Sequence, residues 1–206
     1  MELAHVFHRG EAELERLNRA FVVMIPKHCV ATKAGDFRPI CLQNCSLKIV
    51  AKMLTTRLQA EIPKIIDVDQ TGFIKGRSIS ENFIYAMELV QSCNKRKLPT
   101  LVLKLDFAKA FDSVNWDSLQ RIMVTRGFPQ RWCSWIAALL SSSKSAVLVN
   151  GTPGPWFSCK RGVCQGDPLS PYLFLIVADV LQQMVKQNAG IRHPSDDNLP
   201  CPVLQY

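Results

Sequence analysis

The sequence lacks the features that would assign it to a membrane or secreted class. No apolar run reaches the roughly 18 residues of a membrane span, and the longest, PYLFLIVADVL, contains Asp179. The N-terminal stretch MELAHVFHRGEAELERL has no basic start followed by an apolar core, so it does not match a secretory signal. We therefore expect no membrane association and no secretion, while the sequence leaves both the nucleus and the cytoplasm open.

The cysteines also lack the spacing of a common metal or redox motif. There are eight of them, and no two form a CxxC pair. Outside a secretory context the thiols are expected to be reduced and mostly buried. A zinc site made from His28, Cys29, Cys41 and Cys45 is the alternative, but these spacings match no standard zinc finger.

Acidic residues are in short supply relative to basic ones. The chain has 25 lysines and arginines against 17 acidic residues, which gives a net charge of +8. This balance favours a polyanionic partner, with nucleic acid first and an anionic membrane second. Net charge alone does not decide between a nucleic-acid-binding protein and a basic protein without such a partner.

Hydrophobic periodicity predicts helices and strands in irregular order, which favours an α+β fold over a doubly wound sheet. Strands are predicted at 21–26 and 100–106. A hairpin is predicted at 145–163, around a turn region that contains Asn150-Gly151 and Pro153-Gly154. The helix at 46–62 begins at a Ser46 cap and ends at Pro63. The other predicted helices span residues 11–20, 79–90, 116–126, 129–142 and 169–187.

The stretch LKLDFAKAFDSV places Asp106 at the end of an apolar, leucine-rich run. A carboxylate at the carboxyl end of a core strand can hold a hard cation such as Mg²⁺, which prefers oxygen ligands. The alternative is that Asp106 caps the following turn. Asp112 precedes a predicted helix, so we interpret it as organising the entrance of that helix.

Two further stretches could bind a ligand. In RGVCQGDPLSPYLF, Gly166 allows a close backbone approach, Gln165 can donate and accept hydrogen bonds, and a helix follows. A helix cap is the alternative interpretation. The basic loop GFIKGRS suits phosphates but is not a Walker A loop, and a solvated loop remains the alternative there.

The segments FRPICLQN, QTGFIKGRSISEN, LKLDFAKAFDSV and RGVCQGDPLSPYLF occur in this order. Together they resemble the reverse transcriptase domain of plant non-LTR (LINE-type) retrotransposons, over about residues 21–206. The AFDSV and QGDPLSP forms favour this family over a group II intron maturase or a retroviral enzyme.

The resemblance implies a right-hand polymerase, and it implies roles for residues of the nucleotide site. Asp106 matches the first catalytic aspartate, and Phe107 matches the residue whose carbonyl also reaches the metal. Phe111 matches the bulky gate that excludes a ribose 2′-hydroxyl. Gln165 and Gly166 match the motif that lies along the incoming deoxynucleotide. The implied reaction uses Mg²⁺ to transfer a nucleotide to a primer.

Basic residues complete the implied site. Arg38, and less directly Lys27, match fingers residues that meet the triphosphate. Lys75 and Arg77 fall in a loop expected to lie near the template. The implied partners are an RNA template, a DNA primer and deoxynucleotides, with no membrane, and the sequence predicts no particular protein partner.

The family's other catalytic carboxylates come from a Tyr-Ala-Asp-Asp or Phe-Ala-Asp-Asp hairpin, and Tyr206 matches its first residue. We therefore expect a truncated domain, with residues 1–20 as a helical lead-in, fingers at about 21–99, a partial palm at about 100–206 and no thumb. Asp179, Asp196 and Asp197 are poor substitutes for the missing pair. Two functions stay open, a polymerase fragment that is inactive alone and a non-catalytic nucleic-acid-binding remnant.

Overall fold

A computed structural model of the chain describes residues 2–188 and 190–204, except for the side chains of residues 197–200. Its helices are α1 (Glu2–Arg9), α2 (Leu14–Leu17), α3 (Cys45–Ile65), α4 (Ile79–Lys95), α5 (Trp116–Thr125), α6 (Gln130–Ser141) and α7 (Ser170–Gln187). Its strands are β1 (Arg19–Pro26), β2 (Phe37–Gln43), β3 (Lys144–Val149), β4 (Thr152–Pro153), β5 (Phe157–Ser158), β6 (Arg192–His193) and β7 (Asp196–Pro200). This mixture is consistent with the predicted α+β class. Tyr206 and the side chain of Asp197 lie outside the described part of the chain.

The chain divides into two compact units, each made of two separate stretches. The first comprises residues 1–57 and 109–174, and the second comprises residues 58–108 and 175–206. The predicted division into a lead-in, fingers and palm stays a prediction.

The first unit contains a mixed sheet. Its strand order is β2-β1-β3-β4, and β5 also pairs with β3. β1 runs antiparallel to β2 and parallel to β3. One face of β1 is covered, because Ala20 and Val22 are buried while Arg19 and Ile25 are exposed. β2 forms an edge of this sheet.

The predicted hairpin at 145–163 is confirmed. β3 and β4 are joined by the two residues Asn150 and Gly151, since Val149 pairs with Thr152. Both loop residues have positive φ, 50° and 78°, which a two-residue type I′ turn requires. An Asn-Gly pair adopts this conformation at low cost, and the sequence signal was therefore reliable.

Helix positions were predicted better than helix ends. α3 begins after Asn44, whose side chain accepts the Ser46 N–H at 2.9 Å, so the predicted Ser46 cap was wrong. Pro63 lies inside the last turn of α3, which continues to Ile65, so the predicted helix end at Pro63 was wrong. α5 ends as predicted before Gly127, which has a φ of 77°.

Near the N-terminus the predictions were less accurate. The helix expected at 11–20 is reduced to the four residues of α2, and Ala20 belongs to β1. α1 lies within the expected helical lead-in at 1–20, but its bounds were not predicted. No strand was predicted at 37–43, where β2 pairs with residues 20–26 of β1.

The predicted buried strand at 100–106 is not present. Residues 100–107 form neither helix nor strand, and their apolar side chains are exposed, with Leu101 at 90% and Leu103 at 73%. Within the described residues no strand pairs with this segment. A leucine-rich run favours a strand, but only a partner can satisfy its backbone N–H and C=O groups.

The helix predicted at 79–90 has an apolar stripe, and this stripe is also exposed within the second unit. Ile79, Phe83 and Met87 are 52%, 64% and 48% exposed. The helical period was correct, because α4 covers these residues, but period alone does not show that a face is covered.

The eight cysteines are free thiols, as expected. Cys93 and Cys133 are buried, whereas Cys29 and Cys45 are exposed, so the expectation of mostly buried thiols holds only in part. None of the helices in the described residues has the length and hydropathy of a membrane span.

Candidate functional site

The turn containing Gln165 and Gly166 lies along the free edge of β2 in the first unit. The backbone N–H of Cys41 donates a hydrogen bond to the Gln165 carbonyl at 3.2 Å. Gly166 has a φ of 101°, a conformation that favours glycine. Both residues are exposed, so the Gln165 amide and the Gly166 backbone can meet a ligand.

The chain just before this turn is held against the segment that carries Phe111. Val163 N–H donates to the Phe111 carbonyl at 2.9 Å, and Gly162 N–H donates to the Val114 carbonyl at 2.7 Å. The half-buried Phe111 ring stacks on Phe174, with centroids 5.3 Å apart and an interplanar angle of 19°. The first unit therefore brings Phe111 and the Gln165 turn together through a shared backbone ladder.

Gly162 makes this contact possible. It has a φ of 82°, and a Cβ atom at this position would lie 2.9 Å from the Asp112 carbonyl oxygen. The sequence did not identify Gly162, because a glycine in a loop gives no sign of what lies opposite it. The predicted role of Asp112 at the helix entrance was wrong, since the Asn115 side chain accepts the Ser118 N–H at 2.8 Å and caps α5.

We predict that Gly162→Ala lowers the free energy of unfolding by roughly 2–5 kcal/mol, because it combines a left-handed conformation with a backbone clash. Gly127→Ala is the matched control, because Gly127 has a φ of 77° and open space around its position. It should cost about 1–2 kcal/mol. Urea unfolding measures both. Equal losses in the two variants would show that the Asp112 backbone does not restrict position 162.

Asp167 acts as a helix cap beneath the turn. Its Oδ1 accepts the Leu169 N–H at 2.7 Å at the start of α7. Burial raises the pKa of the Asp167 carboxyl, and hydrogen bonds from Leu169, Gln43 and Ser170 offset only part of that rise. The helix-cap interpretation is therefore correct for Asp167. Gln165 and Gly166 do not take part in the cap and remain exposed to a ligand.

Lys27 and Arg38 lie at the loop end of the β1–β2 hairpin. Lys27 Nζ donates to the Gly35 carbonyl at 2.8 Å, so this ammonium is partly engaged in closing the loop. Arg38 is exposed and makes no hydrogen bond or ion pair with the part of the chain that the structure describes. It precedes Cys41 by three strand residues, or about 10 Å, on the same edge strand as the Gln165 turn.

Asp106 and Phe107 belong to the second unit. Both are exposed, and Asp106 has no hydrogen bond or ion pair among residues 2–188 and 190–204. The Asp106 carboxylate and the neighbouring carbonyl are hard oxygen donors of the type that Mg²⁺ prefers. Across the same residues, no group of three or more His, Cys, Asp or Glu side chains could hold a metal ion.

Arg77 has a structural role that the sequence did not indicate. Its guanidinium donates to the carbonyls of Asp67 and Gln70, at 2.5 and 2.7 Å, and lies 3.4 Å from that of Pro63. It thus satisfies carbonyls after the end of α3. Lys75 is exposed and has no such partner among the described residues. Only Lys75 of this pair presents a free charge on the loop.

A part-buried ionic cluster in the second unit was also missed. Lys186 Nζ lies 2.7 Å from Asp67 Oδ1 and 2.5 Å from Asp69 Oδ2. Gln183 donates to Asp67, and Asp179 accepts the Asp67 N–H at 2.9 Å. Asp179 is only 1% exposed, so its carboxylate serves the fold. Residues this far apart in sequence carry no local signal of their contact.

The comparison with known protein families decides the identity of the chain. Residues 25–206 match the family model described as "Reverse transcriptase (RNA-dependent DNA polymerase)". The chain belongs to the reverse transcriptase family. This match includes every residue that the motifs assigned to the site.

Individual reverse transcriptase relatives agree with this assignment. The retrovirus-related Pol polyprotein of the type-1 retrotransposable element R2 from Nasonia vitripennis is 29% identical over 168 residues, which is 82% of this chain and 16% of that protein. The 149 kDa protein of transposon TX1 from Xenopus laevis is 28% identical over 177 residues, 86% of this chain and 14% of its own length. The chain therefore spans about one sixth of the length of these relatives.

The resemblance read from the motifs is thus confirmed at the level of a retrotransposon reverse transcriptase domain of the kind found in R2 and TX1 elements. The plant origin, the expected hairpin at Tyr206 and the roles of individual site residues stay predictions.

Proposed function

We propose that this chain forms part of the nucleotidyl transfer site of an RNA-directed DNA polymerase from a LINE-type, non-LTR retrotransposon. The observation that carries the proposal is the exposed Gln165–Gly166 turn, held on the edge of β2 by the Cys41–Gln165 hydrogen bond. The same backbone ladder fixes Phe111. A base or sugar bound along this turn would meet a flat peptide surface, a side-chain amide and an aromatic ring.

The nucleotide would be oriented by residues of the first unit. The Gln165 amide and the Gly166 backbone would lie along the incoming deoxynucleotide. The Phe111 ring, stacked on Phe174, would exclude a ribose 2′-hydroxyl by its bulk. Arg38 would bind the triphosphate, because a guanidinium forms paired hydrogen bonds with phosphate oxygens. Lys27 would add a second positive charge from the loop end of the hairpin, where its ammonium is partly engaged by the Gly35 carbonyl.

Asp106 and the Phe107 carbonyl would supply part of a Mg²⁺ site. When bound, Mg²⁺ stabilises charge on the attacking and leaving oxygens of phosphoryl transfer. Asp106 is an exposed carboxylate that makes no hydrogen bond with the described residues. It could therefore bind a metal ion without breaking a contact that stabilises the fold. The other carboxylates would come from a Tyr-Ala-Asp-Asp or Phe-Ala-Asp-Asp hairpin, a motif that residues 1–206 do not contain.

The template would pass near the basic loop of the second unit. Lys75 would contact its phosphates directly. Arg77 would act by holding the loop in shape, because its donors are already engaged with backbone carbonyls.

Primer extension on a primed RNA template tests this proposal. The 206-residue polypeptide alone should not extend the primer in Mg²⁺, because a two-metal site needs more than one carboxylate to hold both ions. The same polypeptide joined after Tyr206 to a segment that supplies the paired aspartates of such a hairpin should extend it. The readout is elongated primer on a denaturing gel.

Extension by the 206-residue polypeptide would contradict the proposed inactivity. Absence of extension in the joined protein, accompanied by salt-dependent RNA binding, would instead favour the non-catalytic nucleic-acid-binding remnant.

A further inference from the structure

Two thiols of the first unit, those of Cys41 and Cys164, lie against each other beside the Gln165–Gly166 turn. They are in hydrogen-bond contact, and both side chains are half-buried. The Cys41 N–H also donates to the Gln165 carbonyl at 3.2 Å, and a Cβ atom on Gly166 would lie 3.7 Å from the Cys41 carbonyl oxygen. The backbone thus holds the two cysteines side by side, and we call them the β2 thiol pair.

The register of β2 explains why the Cys41 side chain meets this turn. Cys41 pairs with the buried Val22, and paired residues of antiparallel strands share a face. The Cys41 thiol therefore lies on the covered face of β2. Gln43, two residues further along the same face, forms a hydrogen bond with Asp167. The segment 164–167 is thus attached to this face at both of its ends.

The two thiols of the pair differ in acidity. Hydrogen bonds from the Cys164 thiol and the Gln165 N–H lower the pKa of Cys41, although burial opposes this shift. The hydrogen bond to Cys41 and burial raise the pKa of Cys164. Cys41 therefore supplies a thiolate more readily, and the thiolate is the reactive form of cysteine. Cys164 stays protonated beside it.

A metal site does not account for this arrangement. Across the described residues, no group of three or more His, Cys, Asp or Glu side chains could hold a metal ion. Cys159 is the next thiol along the chain, and its Sγ contacts the Ser145 Oγ at 3.5 Å. A more acidic thiol in contact with a less acidic one is instead the arrangement of an attacking and a resolving cysteine.

We propose that the β2 thiol pair is a redox site at which a hydroperoxide generates a reversible Cys41–Cys164 disulfide. The Cys41 thiolate attacks a peroxide oxygen, the O–O bond breaks, and the leaving hydroxide takes up the proton that Cys41 released. The Cys164 sulfur then attacks the sulfenic acid of Cys41. The S–S bond forms, and the sulfenic hydroxyl leaves as water with the Cys164 proton. The two sulfurs lose two electrons in all, and one hydrogen peroxide becomes two waters.

The bridge has a consequence for the turn that follows Cys164. Its formation brings the two sulfurs from hydrogen-bond contact to covalent distance, which draws residue 164 towards β2 and moves Gln165 with it. A displacement of about 1 Å in a substrate-positioning group can cost roughly 100-fold in rate. Oxidation should therefore lower primer extension. This consequence rests on the proposed function, whereas formation of the bridge does not.

Peptide mapping of the 206-residue chain carrying Cys45→Ser tests the inference. The substitution removes an exposed cysteine that shares a tryptic peptide with Cys41, and trypsin cuts between Cys159 and Cys164. The protein is treated with hydrogen peroxide at low concentration, blocked with N-ethylmaleimide and digested without reductant. We expect a species that links Cys41 to Cys164 and that dithiothreitol separates into two peptides.

Single variants identify the role of each thiol. Cys164→Ser should stop the reaction at the sulfenic acid, so that dimedone, which labels sulfenic acids, labels Cys41. Cys41→Ser should leave Cys164 unlabelled. Cys159→Ser is the matched control and should form the bridge as the parent does. Thermal melting under reducing conditions checks that each variant folds, and the peptide map of the parent needs none of them.

The inference is overturned if Cys164 is linked to Cys159 instead. It is also overturned if Cys41 and Cys164 stay reduced under conditions that oxidise the exposed Cys29. In the polypeptide extended with the paired aspartates, peroxide should lower primer extension roughly 10-fold or more, and dithiothreitol should restore it. An equal loss in Cys41→Ser would contradict the effect on the turn. An extended polypeptide that is inactive even when reduced would contradict the proposed function, while the peptide map would still decide the bridge.

Discussion

Asp106→Asn, in the polypeptide extended with the paired aspartates, is expected to reduce primer extension by roughly three orders of magnitude. The reason is that the amide is neutral and a poor metal ligand, and metal-ion stabilisation of the transferring phosphoryl group is worth several kcal/mol. The fold should not change. Asp106 is exposed and makes no hydrogen bond or ion pair with the described residues, so thermal melting of the variant should match that of the wild type.

Asp112→Asn is the control for this experiment. Asp112 is a second exposed carboxylate in the same stretch, LKLDFAKAFDSV, and the structure gives it no ligand-binding role. Its replacement should leave extension within about two-fold. Extension by Asp106→Asn at the rate of Asp112→Asn would exclude Asp106 from the metal site.

Lys186→Met is expected to destabilise the second unit by about 3 kcal/mol. The substitution keeps an unbranched apolar stem but leaves the Asp67 and Asp69 carboxylates without their shared cation. The side chains of Lys186 and Asp67 are only 15% and 12% exposed, and removal of one partner from a buried pair costs far more than the pair is worth in net stability. Urea unfolding measures the loss.

Lys64→Met is the matched control, because Lys64 also forms a short ion pair, at 2.8 Å to Glu61, but with side chains 68% and 57% exposed. Its removal should cost about 0.5 kcal/mol or less. Similar losses for the two lysines would show that burial does not strengthen the Lys186 cluster.

The Lys186 cluster also sets a pH dependence. Burial alone would raise the pKa of Asp67, but hydrogen bonds from Lys186, Asp69 and Gln183 hold it below its usual value. Burial likewise opposes the charge on Lys186, yet its contacts with Asp67 and Asp69 raise its pKa. The Asp67 contribution should therefore be complete above about pH 4 and lost on further acidification. The Lys186 contribution should persist to about pH 10 and be lost at higher pH. The difference between wild type and Lys186→Met should be constant between these limits.

Local signals predicted local structure well in this chain. The Asn150-Gly151 turn has its own conformational requirement, and the period of α5 and α6 fixes which side chains are buried. The motif containing Gln165 and Gly166 was identified because unusual residue types occur together at a helix entrance. Each of these inferences depends on residues that lie within a few positions of one another.

Long-range contacts could not be predicted in the same way. The segment at 100–106 has the composition of a buried strand, but its state depends on a partner elsewhere. The close approach of Gly162 to Asp112, and the contact of Lys186 with Asp67, join residues separated by 50 positions or more in the printed sequence. The sequence predicted a phosphate ligand at Arg77, because an arginine in a glycine-rich loop is suited to binding phosphate. Only the structure shows that its N–H donors are already bonded to backbone carbonyls.

The engagement of Arg77 has a consequence for electrostatics. A polyanion responds to the cations it can reach, whereas formal charge counts every basic residue equally. The guanidinium of Arg77 is directed at peptide oxygens, and the ammonium of Lys186 is enclosed by two acids. The attractive field should therefore be weaker at these two cations than at Arg19, Arg38 and Lys75, which face solvent. Chemical modification of accessible amines and guanidines would map that field more faithfully than an isoelectric point does.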